Sequence, residues 1–260
     1  FWGLEDFMNI EETQVTNAFN LAFFMVNVSH HLLRDLRCRQ PEAGVLDLKT
    51  YFRSRRYVVE IIKTLAEKPD AILIQADLTH IENIEKLFID TKQHFGGIDI
   101  AINTVGKVLK KPFLETTEQE FDSMSDINSK IAYFFIQSAG RHLNNGGKIC
   151  SIVTSLLAAY TGFYSTYEGL KAPVEHYTRA ASKEFGDRQI SVTAVAPGPM
   201  DTPFFYGQES AEAVAYHKSA SAVGGLTKIE DIEPLVRLLV THGWWITGQT
   251  IFANGGYTTR

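Results

Sequence analysis

Between residues 4 and 95 the chain holds a single glycine, Gly44. Glycine allows the tight turns and close backbone approach that phosphate-binding loops need, so this stretch contains no glycine-rich loop. Cysteine is scarce as well. Cys38 and Cys150 form neither a C-x-x-C pair nor a metal-ligand cluster, which fits a reduced, cytoplasmic setting. Long apolar runs are missing. The most apolar stretch, "LAFFMV" at 21–26, is far shorter than the ~20 residues that cross a bilayer. No basic segment precedes it, so neither a membrane nor a signal peptide is expected. Basic residues are not in excess: the formal net charge is −5 and the pI about 5.9, which argues against binding through nucleic-acid phosphates. The histidines show no H-E-x-x-H spacing, so no metal is expected, and no G-x-S-x-G marks a hydrolase elbow. Repeats, low-complexity tracts and Pro/Gly linkers are absent.

What the chain does have is alternation. "AILIQAD" (71–77) reads as a buried strand, and "IENIEKLFIDTKQHF" (81–95) as a helix with Ile81, Ile84, Leu87, Phe88 and Phe95 at helical spacing. Strands are read again at 97–106, 147–155, 190–198 and 248–256, and helices at 118–143, 172–186 and 229–243. This order predicts an α/β fold: a Rossmann-type doubly wound parallel sheet with helices on both faces. Ligands of such sheets sit beyond the C-terminal strand ends. Polar or small residues stand at those ends: Asp77-Leu78, Asn103 to Gly106, Thr154-Ser155 and Pro197-Gly198. Taken singly, Asp77 also suits a simple turn, Asn103 a backbone cap and Ser155 a turn hydroxyl. Tyr167 and Lys171, in "YSTYEGLK" (164–171), are four apart and share a helix face.

The segments "QADLT", "INTVG", "INSK", "VTSLL…YEGLK", "APGPMDTPFF" and "ITGQTIFANGGY", in that order, resemble the short-chain dehydrogenase/reductase family over about residues 70–260. The resemblance implies a catalytic set of Asn128, Ser155, Tyr167 and Lys171, with Asn128 acting through its backbone carbonyl and a water. The family's usual serine-to-tyrosine spacing of thirteen points to Thr154 instead, whereas the "TSLL" context favours Ser155. A cofactor would meet Asp77 and Leu78 at its adenine, Asn103 and Gly106 along its adenosine part, Pro197 and Gly198 at the sheet edge, Thr202 at the carboxamide, and Tyr167 and Lys171 near the ribose. The Lys171 ammonium would lower the pKa of the Tyr167 phenol, ordinarily ~10, and the neighbouring hydroxyl would bond the substrate oxygen.

The family's first turn carries a Thr-Gly-x-x-x-Gly-x-Gly loop, which this chain lacks. Its best counterpart is 20–36, where Asn27, Ser29 and His30 take the glycine positions. Arg53, Arg55 and Arg56 follow the second predicted strand and suit a 2′-phosphate, favouring NADP, with NAD second. Three accounts of the N-terminal third stay open: a divergent working cofactor half, a half that no longer binds cofactor, or a misread frame.

The expectation is therefore one NAD(P)-binding domain over 1–260, with 1–18 as an extension and 199–225 as a substrate lid. Phe204, Phe205 and Tyr206 in that lid would cover an apolar substrate or anchor the loop to the core. Tyr164 would line the cavity or pack. The expected activity is hydride transfer between NADP(H) and a small carbonyl or alcohol. A non-catalytic scaffold on the same fold is the alternative. By resemblance, the chain would form a homodimer or homotetramer.

Overall fold

The chain divides into two compact units, Phe1–Leu73 and Ile74–Arg260. The computed structural model describes residues 71–259. The extension at 1–18, the 20–36 turn, and Arg53, Arg55 and Arg56 lie outside the described residues. In chain order the elements are α1 (Ile81–Phe95), β1 (Ile100–Asn103), α2 (Glu118–Ser125), a π-helical turn (Asp126–Lys130) and α3 (Ile131–His142). Then come β2 (Lys148–Ile152), a 3₁₀ turn (Ser155–Ala158), α4 (Ser165–Glu184), β3 (Ser191–Pro197), α5 (Pro203–Tyr206), α6 (Ala211–Ala220), α7 (Ile229–Thr241) and β4 (Gln249–Ala253).

The four described strands are parallel and lie in the order β1-β2-β3-β4. The register sets Asn103 against Ser151, Ile152 against Val195 and Pro197 against Ala253. Their C-terminal ends therefore reach one edge together. Alternation along the strands divides the core. Val192, Ala194 and Ala196 of β3 turn toward α3 and α4, while Val195, with Cys150 of β2, packs on Ile232, Leu239 and Val240 of α7. Helices thus cover both faces, which explains why β2 and β3 read as continuous apolar runs.

The helical spacing read at 81–95 is realised as α1, which ends where Gly96 takes a left-handed φ of 81° and its N–H bonds the Lys92 carbonyl. Its apolar stripe packs Phe88 edge-on against Phe135 of α3, with ring centroids 5.2 Å apart. Thr117 caps α2: its side chain accepts the Glu120 N–H, and the Glu120 carboxylate accepts the Thr117 N–H, an arrangement worth about 1 kcal/mol. The pattern over 172–186 is the second part of α4, which begins at Ser165 and runs through Pro173.

Two expectations need correction. Residues 71–77 are not a strand; they pair with no described strand. Their apolar, β-branched character states a preference for a pleated surface, and that preference becomes a strand only against a partner's ladder. The helix read over 118–143 is interrupted by the π turn. A widened turn of this kind is often found at functional sites. Phe88→Ala is expected to lower the unfolding free energy by about 3–5 kcal/mol, read as a lower urea midpoint. An unchanged midpoint would show that α1 stands outside the cooperative core.

Candidate active site

β1 ends in Asn103, whose buried side-chain oxygen accepts the Val105 N–H at 3.0 Å. This turn directs the Val105 carbonyl at α4. There the Lys171 ammonium, 4% exposed, donates to Val105 O at 2.9 Å and to Ile152 O, at the end of β2, at 3.1 Å. Gly106 has to be small: a Cβ would lie 3.1 Å from Lys171 Nζ and 3.4 Å from Asn128 Oδ1. Asn128 is fully buried in the π turn. Its amide donates to the carbonyls of Lys107 and Met124, and its oxygen accepts the Lys107 N–H at 3.0 Å. The side chain thus secures the loop after β1 to the helix below it.

β2 leads into Thr154 and then into the 3₁₀ turn. Thr154 is extended, and its oxygen accepts the Leu156 N–H at 3.2 Å. The Thr154 side chain also lies near enough to the Tyr167 phenol to lower its pKa. Ser155 is buried at the start of the turn. Of the two candidates, Thr154 is the one whose side chain acts on the pKa of the Tyr167 phenol.

Burial pushes the Tyr167 pKa up to about 12, and the Thr154 side chain draws it partly back. The sequence led us to expect the opposite, an ammonium that lowers it. The physical reason is that desolvation of the phenolate dominates, while Lys171 is turned to two backbone carbonyls. Lys171 itself is brought down to about 8 by burial.

The remaining predicted residues are placed as follows. Pro197 ends β3. Gly198 permits a close approach, since a Cβ there would lie 2.7 Å from Thr227 Oγ1. Thr202 precedes α5 and makes no side-chain cap bond. Asp77 is exposed and turned onto its own loop, accepting the Thr79 N–H at 3.0 Å and its hydroxyl at 2.7 Å. The Thr79 hydroxyl is the main cause holding the Asp77 carboxyl below its ordinary pKa. Leu78 packs on the core. The geometry thus gathers Gly106, Asn128, Thr154, Tyr167 and Lys171. It also adds Glu209, whose side chain is 2% exposed. No sequence signal marks Glu209, because a glutamate in "YGQESAEA" reads as a solvated loop charge.

The chemistry of this donor set fits the nicotinamide end of a dinucleotide: a buried ammonium, an unengaged Thr202 hydroxyl and a backbone edge free of side chains at Gly106. The shift at Lys171 also has a consequence for stability. Its folded pKa, about 8, lies below the ordinary 10.5. Between those values the unfolded chain binds more protons, so this group makes stability rise with pH, by about 3 kcal/mol across the window. Lys171→Met is expected to lack that rise when unfolding free energies are compared at pH 8 and 10.5; parallel profiles would contradict it.

Residues 43–258 match the family described as enoyl-(acyl carrier protein) reductase. The hydroxynaphthalene reductase-like protein Arp2 of Metarhizium majus is 32% identical over 228 residues, 79% of this chain and 81% of its own. The short chain dehydrogenase mdpC of Emericella nidulans is 32% identical over 232 residues, 83% of this chain and 88% of its own. Among solved structures, a Burkholderia cenocepacia protein assigned as a dehydrogenase, with bound NADP, is 66% identical, spans 73% of this chain and 74% of its own, and has a TM-score of 0.72. The angucycline C-6 ketoreductase LanV, also with bound NADP, is 28% identical, spans 72% and 75%, and has a TM-score of 0.66. With the parallel sheet and its strand-end residues, these matches place the chain in the short-chain dehydrogenase/reductase family of oxidoreductases.

Proposed function

We propose that the chain is an NADP-dependent carbonyl reductase in which Tyr167 is the proton donor. The observation that carries this reading is the buried Tyr167 phenol, standing near Thr154 and beside the strand ends that Lys171 ties together. NADP is favoured over NAD by the Arg53 and Arg55 pair in the sequence and by the cofactor in the 66% identical relative.

Lys171 and Thr202 would hold the nicotinamide end, with the backbone of Gly106, Pro197 and Gly198 beside it. The bound dinucleotide supplies the hydride for the carbonyl carbon. Tyr167 supplies the proton for the oxygen. Its raised pKa keeps it protonated at neutral pH, as a donor must be. Thr154, near the phenol, offers a second hydrogen bond to the oxygen as charge develops there. Asn128 holds the loop that supplies the Val105 carbonyl to Lys171. On the same reading, residues 1–260 form one cofactor-binding domain in a cytoplasmic homodimer or homotetramer, with 199–225 as the lid.

Tyr167→Phe is expected to keep the fold and to bind NADPH while turnover falls by about 10²–10⁴-fold. Full activity in this variant would overturn the assignment. Thr154→Ala should lose more turnover than Ser155→Ala; the reverse order would restore Ser155 as the catalytic hydroxyl. NADPH fluorescence titration separates this reading from a scaffold: saturable binding supports the enzyme, and no binding up to about millimolar, the upper end of ordinary KM values, supports the scaffold.

A further inference from the structure

The segment that leaves β3 returns over the strand ends as α5 and α6. The Phe204 ring of α5 lies over Tyr167, with centroids 6.2 Å apart and planes at 52°. Phe204 is 47% exposed, so burial of its own ring holds it only in part. Between the two helices stands Glu209. Its carboxylate accepts from Lys110 Nζ at 2.6 Å and from the Tyr164 hydroxyl, and His217 Nε2 lies 3.7 Å away. The neighbouring Gln208 side chain accepts the Lys110 N–H at 3.3 Å. The Lys110 ammonium also lies 5.4 Å from the centre of the Tyr164 ring.

One carboxylate therefore joins the lid to both elements that build the site. Lys110 belongs to the loop after β1. Tyr164 stands immediately before α4, three residues ahead of Tyr167. A carboxylate this deeply buried persists only when its partners replace the water it has lost. Here they are drawn from two separate segments, so an open lid would lose them both.

We infer that Glu209 is a positioning residue, a latch that holds Phe204 over Tyr167 and so forms the roof of the substrate space. The inference rests on the reading of Tyr167 as proton donor. It also narrows the substrate class. The Tyr164 hydroxyl is engaged by Glu209 rather than turned to a ligand. The surroundings of Tyr167 are apolar: Met124, Leu109, Leu156 and Leu170, roofed by Phe204. A ketone that reaches the phenol would meet these side chains, which suit an apolar, aromatic body.

Chymotrypsin digestion of the full-length protein, followed at Phe204, Phe205 and Tyr206, tests the latch without any turnover. In Glu209→Ala the lid is expected to be cut at least about tenfold faster than in the parent, since the bonds to Lys110 and Tyr164 are both lost. With an aryl ketone as substrate, KM should rise by a similar factor while kcat changes much less. Glu209→Gln keeps an acceptor for the Tyr164 hydroxyl but loses the charge that holds Lys110, and should recover only part of both effects. Should Glu209→Ala fold poorly, Lys110→Met opens the latch from the other side with the same signature. Cleavage at the parent's rate in these variants, or a fall in kcat at unchanged KM, would overturn the latch. An active Tyr167→Phe would refute the proton-donor reading and leave the cleavage result standing.

Discussion

The rest of the site depends on one buried ammonium. Lys171 reaches from α4 to the carbonyls of Val105 and Ile152, and so ties the ends of two neighbouring strands to one helix. A charge this far from water needs fixed acceptors. Those acceptors exist only if β1 and β2 pair in their observed register, and if Asn103 turns the chain so that Val105 faces inward. Asn128 supports the same loop from below through its bonds to Lys107. The helix that carries Lys171 also carries Tyr167. Fixing the cation therefore fixes the phenol.

Burial decides what each group can do. The phenol is pushed up and the ammonium brought down by the same loss of water. In this geometry the Lys171 charge is turned to two backbone carbonyls, and desolvation dominates at the Tyr167 phenol. Glu209 follows a related logic at the lid, where a buried carboxylate is matched by a cation and a hydroxyl from segments distant in sequence.

Much of this was legible beforehand. α1 was readable to the residue because its apolar spacing and the glycine behind it agree. Tyr167 and Lys171 were readable because four residues make one helical turn. The π turn at Asp126–Lys130 was not, because its sequence is ordinary helix and what marks it is the contact of Asn128 with a loop twenty-one residues away. The choice between Thr154 and Ser155 was not legible either. Adjacent residues on extended backbone point opposite ways, and context and spacing disagreed. What the structure adds is that Thr154 is extended and caps the 3₁₀ turn in which Ser155 is buried. At Asp77 the apolar run before it was legible, and the structure adds that its carboxylate accepts from Thr79.

By itself the sequence determined the α/β order, the parallel sheet and the placing of Tyr167 and Lys171 one turn apart on one helix, since these follow from local periodicity and helical spacing. The tertiary structure alone decided how far burial shifts the phenol, where the lysine sends its charge, and that Glu209 bonds Lys110 and Tyr164. These are outcomes of burial and of contacts between distant segments. Desolvation acts on a group only once its neighbours have closed around it, and no local pattern records who those neighbours are.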